Sequence, residues 1–151
     1  MAAVSEAAPI VIRQAREADI GALMRLAGEL GYPADEAGMR QRFASVAADE
    51  NQQVFVAEES SGAVVGWVHV NFGRWLVVDP RGEVMGLIVS DARRGRGIGR
   101  RLMQAAEAWT RQQGGALLTL RSNSVRKEAH AFYERLGYGV TKTSLNFSKA
   151  L

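Results

Sequence analysis

Cysteine is absent from the 151-residue chain, which also holds only two histidines, His69 and His130, and three prolines. The missing cysteine excludes a disulfide framework, a zinc ribbon, an iron–sulfur cluster and any thiol nucleophile. With only two histidines and no cysteine a transition-metal site is improbable, so no metal is expected. Few prolines and 23% charged residues describe ordinary globular composition, not a disordered or collagen-like chain. Long apolar runs are also missing: the longest, 63–70, is interrupted by Gly66 and His69 and falls far short of the roughly 20 residues of a membrane span. The opening MAAVSEAAPI has neither a basic start nor an extended apolar stretch and carries Glu6. No targeting segment is expected, and a soluble, cytoplasmic protein is.

What is present suits one domain. A chain of this length buries roughly 68–70% of its unfolded surface, and 47% hydrophobic residues supply a core without staples. Residues 1–8 read as a flexible leader and 9–151 as the domain. The net charge is only +3, yet all but three of the nineteen basic residues are arginine. Arg93, Arg94, Arg96, Arg100 and Arg101 crowd into nine positions. Arginine's planar fork binds phosphate oxygens in pairs, so such a cluster suits an anionic partner; a solvated basic face is the plainer alternative.

Periodicity orders the elements. Residues 9–16 read as a strand. Asp19 reads as the N-cap of a helix whose Ile20, Leu23, Met24, Ala27 and Leu30 recur at the helical period, stopped by Gly31-Tyr32-Pro33. A second helix spans about 35–48, with Met39, Phe43, Val46 and Ala47 on one side. Strands follow over 53–58 and 64–72, joined as a hairpin, and then over 83–89, the most apolar and so the expected centre of the sheet. A helix carries Ile98, Leu102, Ala105, Ala106 and Trp109 on one stripe, and Gly114-Gly115 ends it. A strand at 116–121, a helix at 125–136 closed by Gly137, and a last strand over about 138–147 complete the chain. The order β-α-α-β-β-β-α-β-α-β is that of a mixed α/β single domain, a central, mostly antiparallel sheet flanked by helices.

The segment RRGRGIGRRL stands between an apolar strand and an amphipathic helix, which is where backbone amides and the helix dipole favour an anion. Gly95, Gly97 and Gly99 permit a tight turn and a close approach. The P-loop pattern is absent. The dinucleotide pattern fails at its third glycine and lacks its acidic residue, since 108–127 contains no Asp or Glu. A coenzyme A, with a diphosphate and a further phosphate, fits amides plus arginines best. A plain strand-to-helix turn with a basic surface stays the alternative at this point.

Arg94-Gly95-Arg96-Gly97-Ile98-Gly99 resembles the R/Q-x-x-G-x-G/A signature of the GNAT superfamily of acetyl-coenzyme-A-dependent N-acetyltransferases. The strand 83–89 and the segment AHAFYERLGY at 129–138 are similar to that family's other landmarks. ELGYP and RKEAHAFYERLGY resemble the branch containing aminoglycoside 6′-N-acetyltransferase-like proteins. The resemblance covers essentially the whole chain. It implies a GNAT-like fold, acetyl-CoA as cosubstrate, no metal, and acyl transfer to a primary amine of a small molecule or peptide. Relatives are often homodimers, so a homodimer is an expectation of the resemblance. The short apolar runs lead to no expected membrane partner, and the lack of stacking aromatics to no expected nucleic-acid partner.

Acyl transfer needs a bound thioester, a neutral amine, stabilisation of the developing oxyanion and a proton for the departing thiolate. By resemblance, the backbone of Leu87, Ile88 and Val89 pairs with the pantetheine arm, and Arg94, Gly95, Arg96, Gly97, Ile98, Gly99 and Arg100 hold the diphosphate. Tyr133 matches the family's general acid; a phenol of pKa about 10 can protonate a thiolate at neutral pH. Glu83 is the candidate base, sharing a strand face with Met85, Leu87 and Val89 by simple alternation, although relatives carry their glutamate at the place of Met85. Where relatives have an asparagine seven positions before the tyrosine, this chain has Arg126. Asn123 either touches the coenzyme or caps the helix. His130, three residues before Tyr133, is placed to touch the tyrosine or the coenzyme. For the acceptor, Glu29 and Tyr32, in the segment joining the first two helices, and His69, alternating with Trp67 and Asn71, are the candidates; helix-terminal charge and a structural histidine are the plainer readings. With no cysteine, direct attack in a ternary complex replaces a thiol-bound acetyl-enzyme. A coenzyme sensor without chemistry is the second class of function. A nucleic-acid module is the third, and no aromatic residue stands among 93–103 to stack bases.

Overall fold

The computed structural model describes residues 9–33 and 35–151, so the leader expected over 1–8 lies outside the described residues. The chain divides into two compact units, one ending at Leu120 and the other Arg121–Leu151. The first unit holds a five-stranded sheet in sequential order: β1 (Ile10–Gln14), β2 (Gln52–Glu59), β3 (Val64–Gly73), β4 (Arg81–Val89) and β5 (Leu118–Leu120). Pairing is antiparallel up to β4 and parallel between β4 and β5. Helices α1 (Ile20–Glu29) and α2 (Glu36–Ala47) fall between β1 and β2, and α3 (Ile98–Gln112) between β4 and β5. The second unit contains α4 (Lys127–Arg135). This is the order expected from the sequence as far as α4.

Alternation along β3 decides which helix covers which face. Val68, Val70 and Phe72 are buried on one side, while Trp67, His69 and Asn71 are half-buried on the other. The second face packs under α1: Leu23, Leu26 and Ala27 meet Val54, Val56, Val64 and Ile88, with Trp67 and the α2 residues Phe43 and Val46 at the margin. α3 covers the first face, its Ile98 and Leu102 lying against Gly66 and its Thr110 against Gly82. Each fully buried Val, Leu or Ile contributes about 1.5–3 kcal/mol of transfer free energy, so these two faces dominate stability.

Two expectations are corrected here. β4 is an interior strand but not the centre of the sheet; β3 is, with two strands on either side of it. No strand forms over 138–147, where every residue after Tyr138 is exposed. The apolar residues there change parity, from Tyr138 and Val140 to Leu145 and Phe147, with Thr141-Lys142-Thr143-Ser144 between. No single face is therefore continuous enough to hold a strand.

Asp19 begins α1 as expected, but by a different device. Its buried carboxylate accepts the Arg16 amide at 2.9 Å and two bonds from the Arg13 guanidinium at 2.7 and 2.8 Å. Arg13 also donates to Glu58 at 2.6 Å, tying β1 to β2. The Arg13 bonds hold the Asp19 carboxyl below its ordinary range, against the opposing effect of burial. A carboxyl depressed in the folded state stabilises above its unfolded pKa of about 3.9 and loses that contribution as pH falls towards the folded value. Asp19→Asn is therefore expected to lower unfolding free energy by about 1–3 kcal/mol at pH 7 and to flatten the acid limb, as read by urea titrations at several pH values.

Candidate active site

β4 pairs with β3 along its length but with β5 only at Gly82, Glu83 and Val84. From Met85 to Val89 no strand among the described residues pairs with its β5 side. The same point carries an irregularity. Partners step from Val70–Val84 to His69–Gly86, so Met85 is an extra residue, a β-bulge, and its side chain is 55% exposed. A bulge flips parity. Glu83 pairs across from Asn71, while Gly86 and Ile88 oppose His69 and Trp67. Glu83 thus shares a face with Gly86, Ile88, His69 and Trp67, and not with Leu87 and Val89 as simple alternation implied. Gly86 lets the Trp67 ring lie close: a Cβ would stand 3.0 Å from it, so the ring would have to give by a few tenths of an ångström.

β4 runs into a short 3-10 turn, Asp91–Arg93, and then into the glycines. Gly95 (φ +77°) and Gly97 (φ +76°) both lie in the left-handed region that glycine alone enters freely. Gly97 is the N-cap of α3, and the first bond back into the helix is Arg101 N–H to the Gly97 carbonyl at 3.1 Å. The amides of Ile98, Gly99 and Arg100 therefore have no intrahelical acceptor, at the positive end of a 15-residue helix. Ile98 itself is buried and anchors the turn.

The arginine cluster separates by role. Arg93 is bound to the buried Glu59, and Arg101 donates to the Ile10 carbonyl at 2.6 Å. Arg94 pairs with Asp91 at 2.8 Å on the surface, and Arg96 and Arg100 are exposed. Two of the five are fasteners of the fold.

The acidic residues around the α1–α2 connection also have local partners. Glu29 accepts the Asp91 amide at 3.3 Å, Asp35 caps α2 through the Gly38 amide at 2.6 Å, and Glu36 pairs with Arg40 at 2.9 Å. Tyr32 is 69% exposed. His69 donates from Nε2 to Gln52 Oε1 at 2.7 Å, and burial pushes its pKa down, which favours the neutral ring.

In the second unit, Tyr133 stands on α4 with its ring edge-on to Phe132 and Tyr138, centroids 5.1 and 6.2 Å away. Its backbone carbonyl accepts the Tyr138 amide at 3.0 Å, and Gly137, at φ +94°, closes the helix. Burial raises the phenol's pKa, with Arg126 pulling weakly the other way. His130 donates from Nε2 to the Asn123 carbonyl at 2.9 Å, and the Asn123 side chain accepts the Val125 amide at 3.1 Å. Both thus brace the loop leading into α4.

An open strand edge running into a double-glycine turn and a helix N-terminus is a recognisable constellation, and residues 20–138 match the Acetyltransferase (GNAT) family. The chain belongs to this family. An aminoalkylphosphonate N-acetyltransferase of Salmonella typhimurium is 35% identical over 132 residues, covering 83% of this chain and 78% of that protein. An aminoglycoside N(6′)-acetyltransferase type 1 of Stenotrophomonas maltophilia is 31% identical over 144 residues, 93% of each. Among solved structures, the aminoglycoside N-acetyltransferase AAC(6′)-Iy in complex with CoA superposes with TM-score 0.86, covering 98% of this chain and 99% of that one; at 16% identity the likeness establishes the fold. The protein is an N-acetyltransferase of the GNAT family.

Within this GNAT enzyme the structure brings Leu87, Ile88, Val89 and the stretch from Arg94 to Arg100 onto one continuous run of chain, and it places Glu83 and His69 on a common sheet face. Sequence reasoning missed Glu59 and the second role of Glu29, because their partners lie 34 and 62 residues away. Local sequence carried little signal for Glu59, since its strand also holds Gln52, Gln53 and Glu58. Among the described residues no group of three or more potential ligands is gathered for a metal ion, and no helix is long and apolar enough to cross a membrane.

Proposed function

We propose that the protein transfers the acetyl group of acetyl-CoA to a primary amine of a small molecule, by direct attack in a ternary complex. The observation that carries this is the open β5 side of β4, Met85 to Val89, leading without interruption into the left-handed glycines and the α3 amides. An extended pantetheine arm with its own amides suits the first part, and a diphosphate suits the second. Cβ atoms added at Gly95 or Gly97 would meet nothing within 4 Å, so the cradle has room for phosphate oxygens. The amides of Arg94 to Arg100 hold the diphosphate, and exposed Arg96 and Arg100 add charge for the remaining phosphate. The CoA named in the structural neighbour supports acetyl-CoA as the cosubstrate.

In the reaction a C–N bond forms as the thioester C–S bond breaks. The amine proton passes to Glu83, directly or through water, and Tyr133 protonates the thiolate. Raising the phenol's pKa keeps it protonated throughout the neutral range, which is what a general acid requires. Small amines as acceptors follow from the activities named for the two relatives, an aminoalkylphosphonate and an aminoglycoside. Cytoplasmic residence and a homodimer belong to the same reading; sizing by light scattering reads the latter.

Thiol release from acetyl-CoA is measured against aminoalkylphosphonates, aminoglycosides, polyamines, amino acids and short peptides. Release with one class, matched by a product one acetyl group heavier, is the expected outcome. CoA binding without release from any amine would contradict turnover and leave a coenzyme sensor.

A further inference from the structure

The glycine-rich turn is the most freely jointed part of the site, yet it is pinned at both ends. After the glycines, Arg101 is fixed to the Ile10 carbonyl at 2.6 Å. Before them, the Ser90 amide donates to the Val65 carbonyl at 2.8 Å and the Asp91 amide to Glu29 at 3.3 Å. The strongest hold is Glu59, the last residue of β2, only 8% exposed. Both of its carboxylate oxygens take bonds from Arg93, the residue just before the cradle: Nε to Oε1, and Nη2 to Oε2 at 3.3 Å. The guanidinium holds the Glu59 carboxyl below its ordinary range. A buried carboxylate is costly unless paired in this way, and the β2–β3 turn has no need of one: its backbone bonds, Glu59 amide to Ala63 carbonyl and Gly62 amide to Glu59 carbonyl, involve no side chain.

We propose that Glu59 is a positioning residue for the coenzyme: through Arg93 it fixes the entry to the Gly95–Gly99 turn, so that the amides meet the diphosphate already aligned. This rests on the reading that the turn holds the coenzyme's diphosphate. Two glycines in the left-handed region leave many alternative paths between fixed points, and ordering them on binding would cost affinity. Charge alone argues the opposite way. Glu59 places a negative charge near Arg93 and Arg96, so a purely electrostatic role would make its removal strengthen binding of an anion. The sign of the effect therefore separates positioning from charge.

Glu59→Gln keeps shape and removes the ionic grip. It is expected to raise the KM for acetyl-CoA and the Kd for CoA about tenfold at a temperature where the variant is fully folded. The kcat and the acceptor KM stay near wild type, the melting temperature is lowered by the broken pair, and the effect on the coenzyme persists at high salt. Arg93→Lys keeps the charge but loses the fork. It is expected to shift the same constants the same way, and it carries the test if Glu59→Gln does not fold. Unchanged or tighter coenzyme binding in the variants, beside a wild type that binds CoA, would overturn the positioning role alone. A parallel fall in kcat and melting temperature would make Glu59 a stability residue and overturn it too. A wild type that does not bind CoA by calorimetry would overturn the cradle reading itself, and this proposal with it.

Discussion

Tyr133→Phe is expected to lower kcat by about 10²–10³-fold while leaving CoA affinity unchanged. The substitution removes one oxygen and keeps the ring that packs edge-on between Phe132 and Tyr138, so the fold of α4 is not at issue. What is lost is the proton donor for the thiolate. The pH dependence gives a second reading of the same role. A general acid works while protonated, so activity is lost as pH rises through its pKa. Burial raises that pKa, so the basic limb in the wild type belongs above the ordinary tyrosine value of about 10. A variant that turns over at the wild-type rate would remove Tyr133 from the chemistry and leave water as the acid.

The second large effect belongs to the cradle. Gly97 stands at φ +76°, where an L-residue costs about 1–2 kcal/mol, and its Cβ would project into open space. Gly97→Ala is expected to weaken CoA binding about tenfold, equal to about 1.4 kcal/mol, because the helix N-cap must shift to relieve the strain and the α3 amides shift with it. Gly62 provides the control. It has φ +87° and equally open surroundings but sits in the β2–β3 turn, so Gly62→Ala carries the same backbone strain without touching coenzyme affinity. Equal losses in the two variants would show that general destabilisation, and not the cradle, is being measured.

The cradle was legible in the sequence because everything that makes it is local. A strand, two glycines that must turn left-handed, and a helix with Ile98 and Leu102 on its buried stripe all lie within twenty residues, and 3.6- and 2-residue periods describe them. The side-chain roles around it were less legible, for three distinct reasons. The face of Glu83 depends on the bulge at Met85, and one extra residue in a ladder reverses parity without any mark in composition. The duties of Arg93 and Arg101 depend on Glu59 and Ile10, far away in sequence, so five arginines that look alike in a row divide into fasteners and exposed charges. Glu29, a candidate for the acceptor, also accepts the Asp91 amide, a partner 62 residues away that local pattern does not reveal. The final strand was the one element expected and not formed, and there the alternation itself changes phase.

A carboxylate that already accepts one bond can accept others, so the local partners of Asp35 and Glu36 do not choose between a polycationic acceptor and a small amine. The aminoalkylphosphonate arm of the amine panel is therefore as informative as the aminoglycoside arm.

The central claim is that one run of chain, the open edge of β4 and the glycine turn after it, receives the coenzyme. Amide hydrogen exchange with and without CoA tests this at the residues concerned. Added protection confined to Met85–Val89 and to the amides from Gly95 to Arg100, and needing about tenfold more CoA in Gly97→Ala, is the expected result. Protection that falls elsewhere on the first unit, with these amides exchanging as before, would contradict it.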